Sequence, residues 1–328
     1  MTNKTCPFTR SILERSMEGG YNFLSAMLSS ETCQMMHRAH EYFDIMGLVK
    51  EQNPDFFLSM MDVPFVTTKA AYEHYENQLR KHILEPLEKV CGVDISDKAI
   101  RAAIEEHNDI CGIISELGEL RKLPNPPITS YEFHVLQLVS ECCPQYLIKD
   151  KLLETLKEVR KRKVDPKPNY RARLVVTGSE VDDPVFTKLL EDCGVYVVAD
   201  RYCFGSFPSR EQIEIKEGET AFDAICRHYL YWNQCARFMD GFKIDQRHAI
   251  AAQLVEDFKA DGIIYENMKF CEFWSYEKVL ANHIFTNEKH IPCCTIEKEY
   301  SLGAVGQLRT RFQAFIESLE IKSIQGGK

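Results

Sequence analysis

Thirteen cysteines stand in a chain of 328 residues, and their chemistry has to be placed first. A thiolate can bind a soft metal or an iron-sulfur cluster or act as a nucleophile, whereas a buried thiol behaves as a small hydrophobe. Disulfides need an oxidising compartment, and the opening MTNKTCPFTR has no apolar core of an export signal, so the thiols are read as reduced and the chain as cytoplasmic. No C-x-x-C spacing occurs. The close pairs are Cys142-Cys143 and Cys293-Cys294, so zinc-ribbon and ferredoxin spacings are absent. Any metal site must be assembled from cysteines distant in sequence.

Position sorts them. In open parallel sheets ligands bind beyond the carboxyl ends of the strands. Cys33, in SSETCQMMHR, follows a strand-like run and opens a helix, and Cys271, in MKFCEFWSYE, repeats that arrangement. The unpaired N–H groups and dipole of a helix start favour a thiolate or an anionic cluster there. Cys203, in ADRYCFGS, also follows a strand. Cys6, beside Pro7, precedes any periodic segment and is expected in a loop, and Cys235 is a further candidate. Cys91, Cys111, Cys142, Cys143, Cys193, Cys226, Cys293 and Cys294 are read as apolar packing.

The elements that must position these residues alternate. Residues 21–29 and 55–61 read as strands, each followed by a helix that Thr32 and Thr67 or Thr68 can cap, and helices follow from Ser96, over 131–143 and over 147–161. The stretch KRKVDPKPNYRAR, residues 161–173, is basic, proline-bearing and nearly devoid of apolar residues, so it is taken as a linker. After it come strands at 174–177, 195–200, 262–265 and 293–297, separated by helices. Strands alternating with helices predict right-handed crossovers and mainly parallel sheets. The expected fold is α/β: two Rossmann- or flavodoxin-like domains, residues 1–165 and 166–328, with a helical segment between them.

Composition narrows the partners. Forty Lys and Arg against 49 Asp and Glu give a net charge of −9, which argues against a nucleic-acid backbone as partner. No apolar run approaches the roughly 18 residues that span a bilayer, so no membrane partner is expected.

Several stretches, in order along most of the chain, resemble one family: the 2-hydroxyacyl-CoA dehydratases and the ATP-dependent benzoyl-CoA reductases. They are TCPFTRSIL around Cys6, SSETCQMMHR around Cys33, RLVVTGSEVDDPVFTKLLEDCGVYVVADRYCFGS, DGIIYENMKFCEFWSYE around Cys271 and GQLRTRFQAFIESLEI. The resemblance implies that Cys6, Cys33 and Cys271 hold one 4Fe-4S cluster whose fourth iron lacks a cysteine. A Lewis-acidic iron of that kind can meet the thioester carbonyl of an acyl-CoA and pass it single electrons. It further implies a paralogous iron-sulfur subunit and a separate ATP-hydrolysing activator. The likeness of NMKFCEFWSYEKVLANHI leans to the benzoyl-CoA reductase branch, with an aromatic acyl-CoA as substrate. Elimination of water from a 2-hydroxyacyl-CoA is the alternative, and a non-catalytic electron relay or structural subunit the third. Two departures stand out. Gln34 follows Cys33 where the family has an acidic residue, and the sequence starts almost at the first ligand. The surroundings of the open iron are thus left to a partner, to an altered local structure or to residues upstream of Met1.

Other candidates are weaker in pattern. Arg309 and Arg311, in GQLRTR beside the 303–306 loop, are placed where a CoA phosphate could meet basic side chains and backbone N–H groups, against a solvated helix face. His37 and His40 share the Cys33 helix and could deliver protons near a cluster, against a reading as surface histidines. Trp232, Phe273, Trp274 and Tyr276 would suit a flat ring or simply the core. Gly178-Ser179-Glu180 lacks the glycine patterns of a nucleotide turn, so ATP is assigned to the activator.

Overall fold

The computed structural model describes residues 2–164, 169–206, 210–301, 303 and 305–326. It groups into two compact units, residues 1–104 with 213–244 and residues 105–212 with 245–328. In sequence the units change over at 104/105, 212/213 and 244/245, so residues 105–164 group with the second unit. The basic, proline-bearing stretch over residues 161–173 is the segment read from sequence as a linker. Residues 165–168 of that stretch lie outside the described residues.

The first unit is built on a two-stranded parallel sheet, β1 (Ala26–Glu31) and β2 (Phe57–Asp62), paired from Ala26 with Phe57 to Glu31 with Asp62. Helix α1 (Pro7–Met17) and helix α2 (Gln34–Ile45) pack through Leu13, Ala39 and Phe43. After β2, Thr68 caps α3 (Lys69–Leu79), its side chain accepting from the Ala71 N–H. A π-helical turn at Arg80–Leu84 leads into α4 (Glu85–Cys91), so the continuous helix deforms one turn before Pro86. The start of α5 (Asp97–Glu119) and helix α9 (Ala221–Trp232) complete the core with Tyr75, Ile100, Phe222 and Leu230.

The second unit contains α6 (Ser130–Cys142), capped by a reciprocal Thr129–Glu132 box, and α7 (Gln145–Lys161). They bury Phe133, Ile148, Leu152 and Leu156 against Ile114 and Leu117 of α5. Its sheet is parallel throughout in the order β4-β3-β5-β6, from β3 (Ala172–Gly178), β4 (Val195–Arg201), β5 (Gly262–Met268) and β6 (Cys293–Lys298). The connecting helices are α8 (Pro184–Asp192), α10 (Gly241–Asp257), α11 (Glu272–His283) and, after β6, α12 (Val305–Ile324). Phe186 of α8 and Phe312 of α12 pack edge to face over Leu174, Val176 and Ile264. Strands β4 and β5 are buried along their whole length, as expected of a parallel sheet covered on both faces, and their apolar starts, residues 195–199 and 263–265, lead into the polar ends Asp200-Arg201 and Glu266-Asn267. The α/β class and the flanked parallel sheets are those expected. Among the described residues no helix is long and apolar enough to cross a membrane.

Chain order reverses direction across the second sheet between β3 and β5, because β4 lies on one side of β3 and β5 and β6 on the other. The carboxyl ends of β3 and β5 therefore form the switch point at which such sheets bind ligands.

Candidate functional site

Cys6, Cys33 and Cys271 share one structural position. Each is the N-cap residue of a helix: Cys6 of α1, Cys33 of α2 and Cys271 of α11. A helix start carries unpaired N–H groups and the positive end of the dipole, and both lower the cost of a thiolate or an anionic cluster.

Cys33 stands two residues beyond β1. Its Sγ accepts from the Met36 N–H at 3.4 Å, so the sulfur already takes the capping role that Ser or Asp usually fills. Strand β1 runs to Glu31, two residues past the end expected from the apolar run, and this brings the carboxyl edge of the sheet directly to Cys33. Cys6 departs from expectation. It is 8% exposed instead of lying in an open loop, because a helix the sequence pattern missed begins at Pro7. Proline at the first helical position and an acceptor at the Cys6 carbonyl, bonded by Thr9 Oγ at 2.9 Å, are the local reasons. Cys271 follows β5 at the switch point. Phe270 adopts φ 64, a left-handed turn that ends the strand, and α11 then starts at Glu272, three residues earlier than its apolar spacing suggests.

Ionisable groups gather on the carboxyl edge of the first sheet. Glu31 Oε1 and His37 Nδ1 lie 2.8 Å apart, as do Asp62 Oδ2 and His74 Nε2. Arg237 lies at the same edge, donating to the Glu31 and Pro64 carbonyls at 3.0 Å each. His40 bonds Ser29 Oγ at 2.8 Å, and burial pushes its imidazole below the ordinary value with Asp44 opposing. His37 is thus the histidine of α2 that is paired with a carboxylate beside Cys33. Neither Arg237 nor the Asp62–His74 pair is singled out by sequence. The available signal was that Glu31 and Asp62 end parallel strands.

At the switch point of the second unit, Glu266 of β5 is fully buried. Its Oε2 accepts from the Ser179 N–H at 3.0 Å and from Ser179 Oγ at 2.9 Å. Ser179 Oγ in turn accepts from the Met268 N–H at 2.6 Å, and the Met268 carbonyl accepts from the Cys271 N–H at 3.0 Å. Lys298 Nζ is 3.8 Å from Glu266 Oε1. Burial pushes the Glu266 carboxyl up to about 7, with Lys298 opposing, and burial raises Glu180 as well. Gly178-Ser179-Glu180 is therefore a carboxylate-holding turn. A Cβ at Gly178 would stand 2.0 Å from the Glu266 carbonyl oxygen, so the two strand ends approach too closely for any other residue. Cys203 reaches the same edge, its N–H donating to the Ser179 carbonyl at 3.1 Å.

The remaining candidates are placed as follows. Arg309 pairs with Asp192 at 3.3 Å and Arg311 donates to the Thr295 carbonyl at 2.9 Å, both on the exposed side of α12. Residues 302 and 304 of the adjoining loop lie outside the described residues. Trp274 is buried against Tyr265, with ring centres 6.0 Å apart, while Tyr276 is exposed. A cavity of about 630 Å³ opens at the amino end of β4, lined by Tyr170, Arg162, Lys188 and Asp192 among others, at the edge opposite Ser179 and Cys271.

In chemistry the three cysteines suit a thiolate-held cluster, each being a soft donor at a helix N-terminus. Among the described residues no three Cys, His, Asp or Glu side chains converge as a metal site.

Similarity to known proteins runs over nearly the whole chain. The family model described as 2-hydroxyglutaryl-CoA dehydratase, D-component, matches residues 1–319. The chain is 24% identical to the (R)-phenyllactyl-CoA dehydratase beta subunit of Clostridium sporogenes, over 96% of this chain and 80% of that one. It is 24% identical to the beta subunit of the (R)-2-hydroxyglutaryl-CoA dehydratase of Acidaminococcus fermentans, over 96% and 81%. To one of the benzoyl-CoA reductase subunits of Thauera aromatica it is 21% identical, over 97% and 80%.

Proposed function

This chain belongs to the 2-hydroxyglutaryl-CoA dehydratase, D-component family, and from that premise we propose that it is the beta-type iron-sulfur subunit of a hetero-oligomeric enzyme acting on an acyl-CoA. Relatives named as dehydratase beta subunits and as a benzoyl-CoA reductase subunit support an enzyme assembled from several chains, of oxidoreductase or lyase type. The observation that carries the cofactor reading is the shared N-cap position of Cys6, Cys33 and Cys271. These thiolates would hold a 4Fe-4S cluster, which when bound supplies single electrons to the thioester carbonyl.

The chain's own residues have separate tasks. The three helix starts favour the negative charge of the sulfur ligands. His37, held by Glu31, is placed one helical turn from Cys33 to hold a proton. A paralogous subunit and an ATP-hydrolysing activator complete the proposed assembly. Of the two reactions, removal of water from a 2-hydroxyacyl-CoA is favoured by the family description and by the phenyllactyl- and hydroxyglutaryl-CoA relatives. Reduction of an aromatic acyl-CoA is the second reading, favoured by the segment around Cys271 and the reductase relative.

The test is anaerobic purification with the paralogous partner, iron and sulfide analysis, and turnover assays with activator, ATP and both thioester classes. Iron should be lost from Cys6→Ala, Cys33→Ala and Cys271→Ala and kept in Cys142→Ala, a change at an exposed site. Full iron content in Cys271→Ala would remove the ligand assignment, and turnover of benzoyl-CoA alone would reverse the choice of reaction.

A further inference from the structure

Arg237 lies beyond α9, two residues past Cys235, and is 2% exposed. Its Nη1 donates to the Pro64 carbonyl and its Nη2 to the Glu31 carbonyl. Glu31 is the last residue of β1 and Pro64 follows β2, so one side chain ties together the ends of both strands, two residues before Cys33. The guanidinium stacks on the Phe65 ring at 3.9 Å. Its Nε is buried and has no acceptor among the described residues.

Such an arrangement is unfavourable as it stands. A buried cation is normally matched by an ion-paired carboxylate, and a buried N–H by an acceptor. Among the described residues no carboxylate lies within ion-pair distance of Arg237. Burial lowers its pKa, and Cys235, Asp62, Glu31 and Cys33 oppose that in this order, which places both thiols within electrostatic reach of the guanidinium. Arg237 thus stands buried at the strand ends two residues before Cys33, with two thiols and two carboxylates within electrostatic reach.

We propose that Arg237 is a positioning and charge-compensating residue of the Cys33 site, holding the strand ends that set Cys33 and lending its buried Nε–H and positive charge to the sulfur ligands there. The inference rests on the cluster reading above. Hydrogen bonds to sulfur and nearby positive charge stabilise the more negative, reduced form of an iron-sulfur centre and raise its reduction potential. An arginine with a purely structural role would leave that potential unchanged.

The experiment uses the full chain reconstituted anaerobically with iron and sulfide, with a redox titration followed by electron paramagnetic resonance. Arg237→Lys keeps a charge and loses the Nε–H, and Arg237→Met loses both. The midpoint potential should shift negative in Arg237→Lys and further in Arg237→Met, at wild-type iron content. Should Arg237→Met fail to fold or load, the shift in Arg237→Lys decides. Potentials equal to wild type in the loaded variants would overturn the role of Arg237 while leaving the cluster reading intact. A wild-type chain that takes up no cluster would overturn that reading and this inference with it.

Discussion

Cys33 has two duties that can be separated by one atom. Its sulfur caps α2 through the Met36 N–H and is the proposed ligand. Serine preserves a capping acceptor but is a poor ligand for an iron-sulfur centre, whereas alanine removes both functions. Cys33→Ala should therefore lower the stability of the metal-free chain by about 0.5–1 kcal/mol, while Cys33→Ser should stay near wild type, and neither should load iron. Equal melting of the two variants in urea would show that the cap contributes nothing. Iron retained in Cys33→Ser would remove Cys33 from the ligand set.

At the level of elements, the pairing of β3 with β5 buries a carboxylate that the local structure does not neutralise. Glu266 is held by Ser179 and only loosely met by Lys298, and its carboxyl rises to about 7. The folded chain thus binds a proton that the unfolded chain releases at ordinary carboxylate pH. A raised pKa of this kind contributes stability in full below the unfolded value, and that contribution is lost as pH climbs from about 4.5 through about 7. Denaturation midpoints measured between pH 5 and 7.5 should fall with rising pH, by at most on the order of 3 kcal/mol from this residue. The slope should flatten in Glu266→Gln, whose amide oxygen can still accept from Ser179. An unchanged slope in that variant would assign the pH dependence to other groups. Opposing it at lower pH is Glu277, held at about 2 against burial by His248 and Arg247; its contribution is present above the ordinary carboxylate range and is lost toward pH 2.

Over the whole molecule, the two units differ in how deeply their sheets are buried. Strands β1 and β2 are mostly half-exposed, whereas β4 and β5 are covered along their full length. Local opening is easiest where few apolar contacts shield the backbone ladder. Native-state hydrogen exchange should therefore show β1 and β2 amides exchanging faster than those of β3 and β5 in the metal-free chain. Equal protection of both sheets would show that the units open as one.

What the sequence by itself determined was local and periodic. Alternating apolar runs and caps placed the strands and most helices, because side-chain periodicity and capping depend on neighbours a few residues apart. The same logic put Cys33 and Cys271 at strand-to-helix turns. Family resemblance then brought Cys6 to their side, although its helix, short and polar, left no periodic signal. Only the tertiary structure decided the grouping into units, since residues 213–244 return to the first unit over a distance that no local pattern records. It also decided the surroundings of the thiols. Arg237 meets the Glu31 carbonyl, and Ser179 meets Glu266, because packing brings together residues far apart in the chain. The energy that selects those contacts, burial of apolar faces and satisfaction of buried polar groups, is summed over the fold and is not written at any one position.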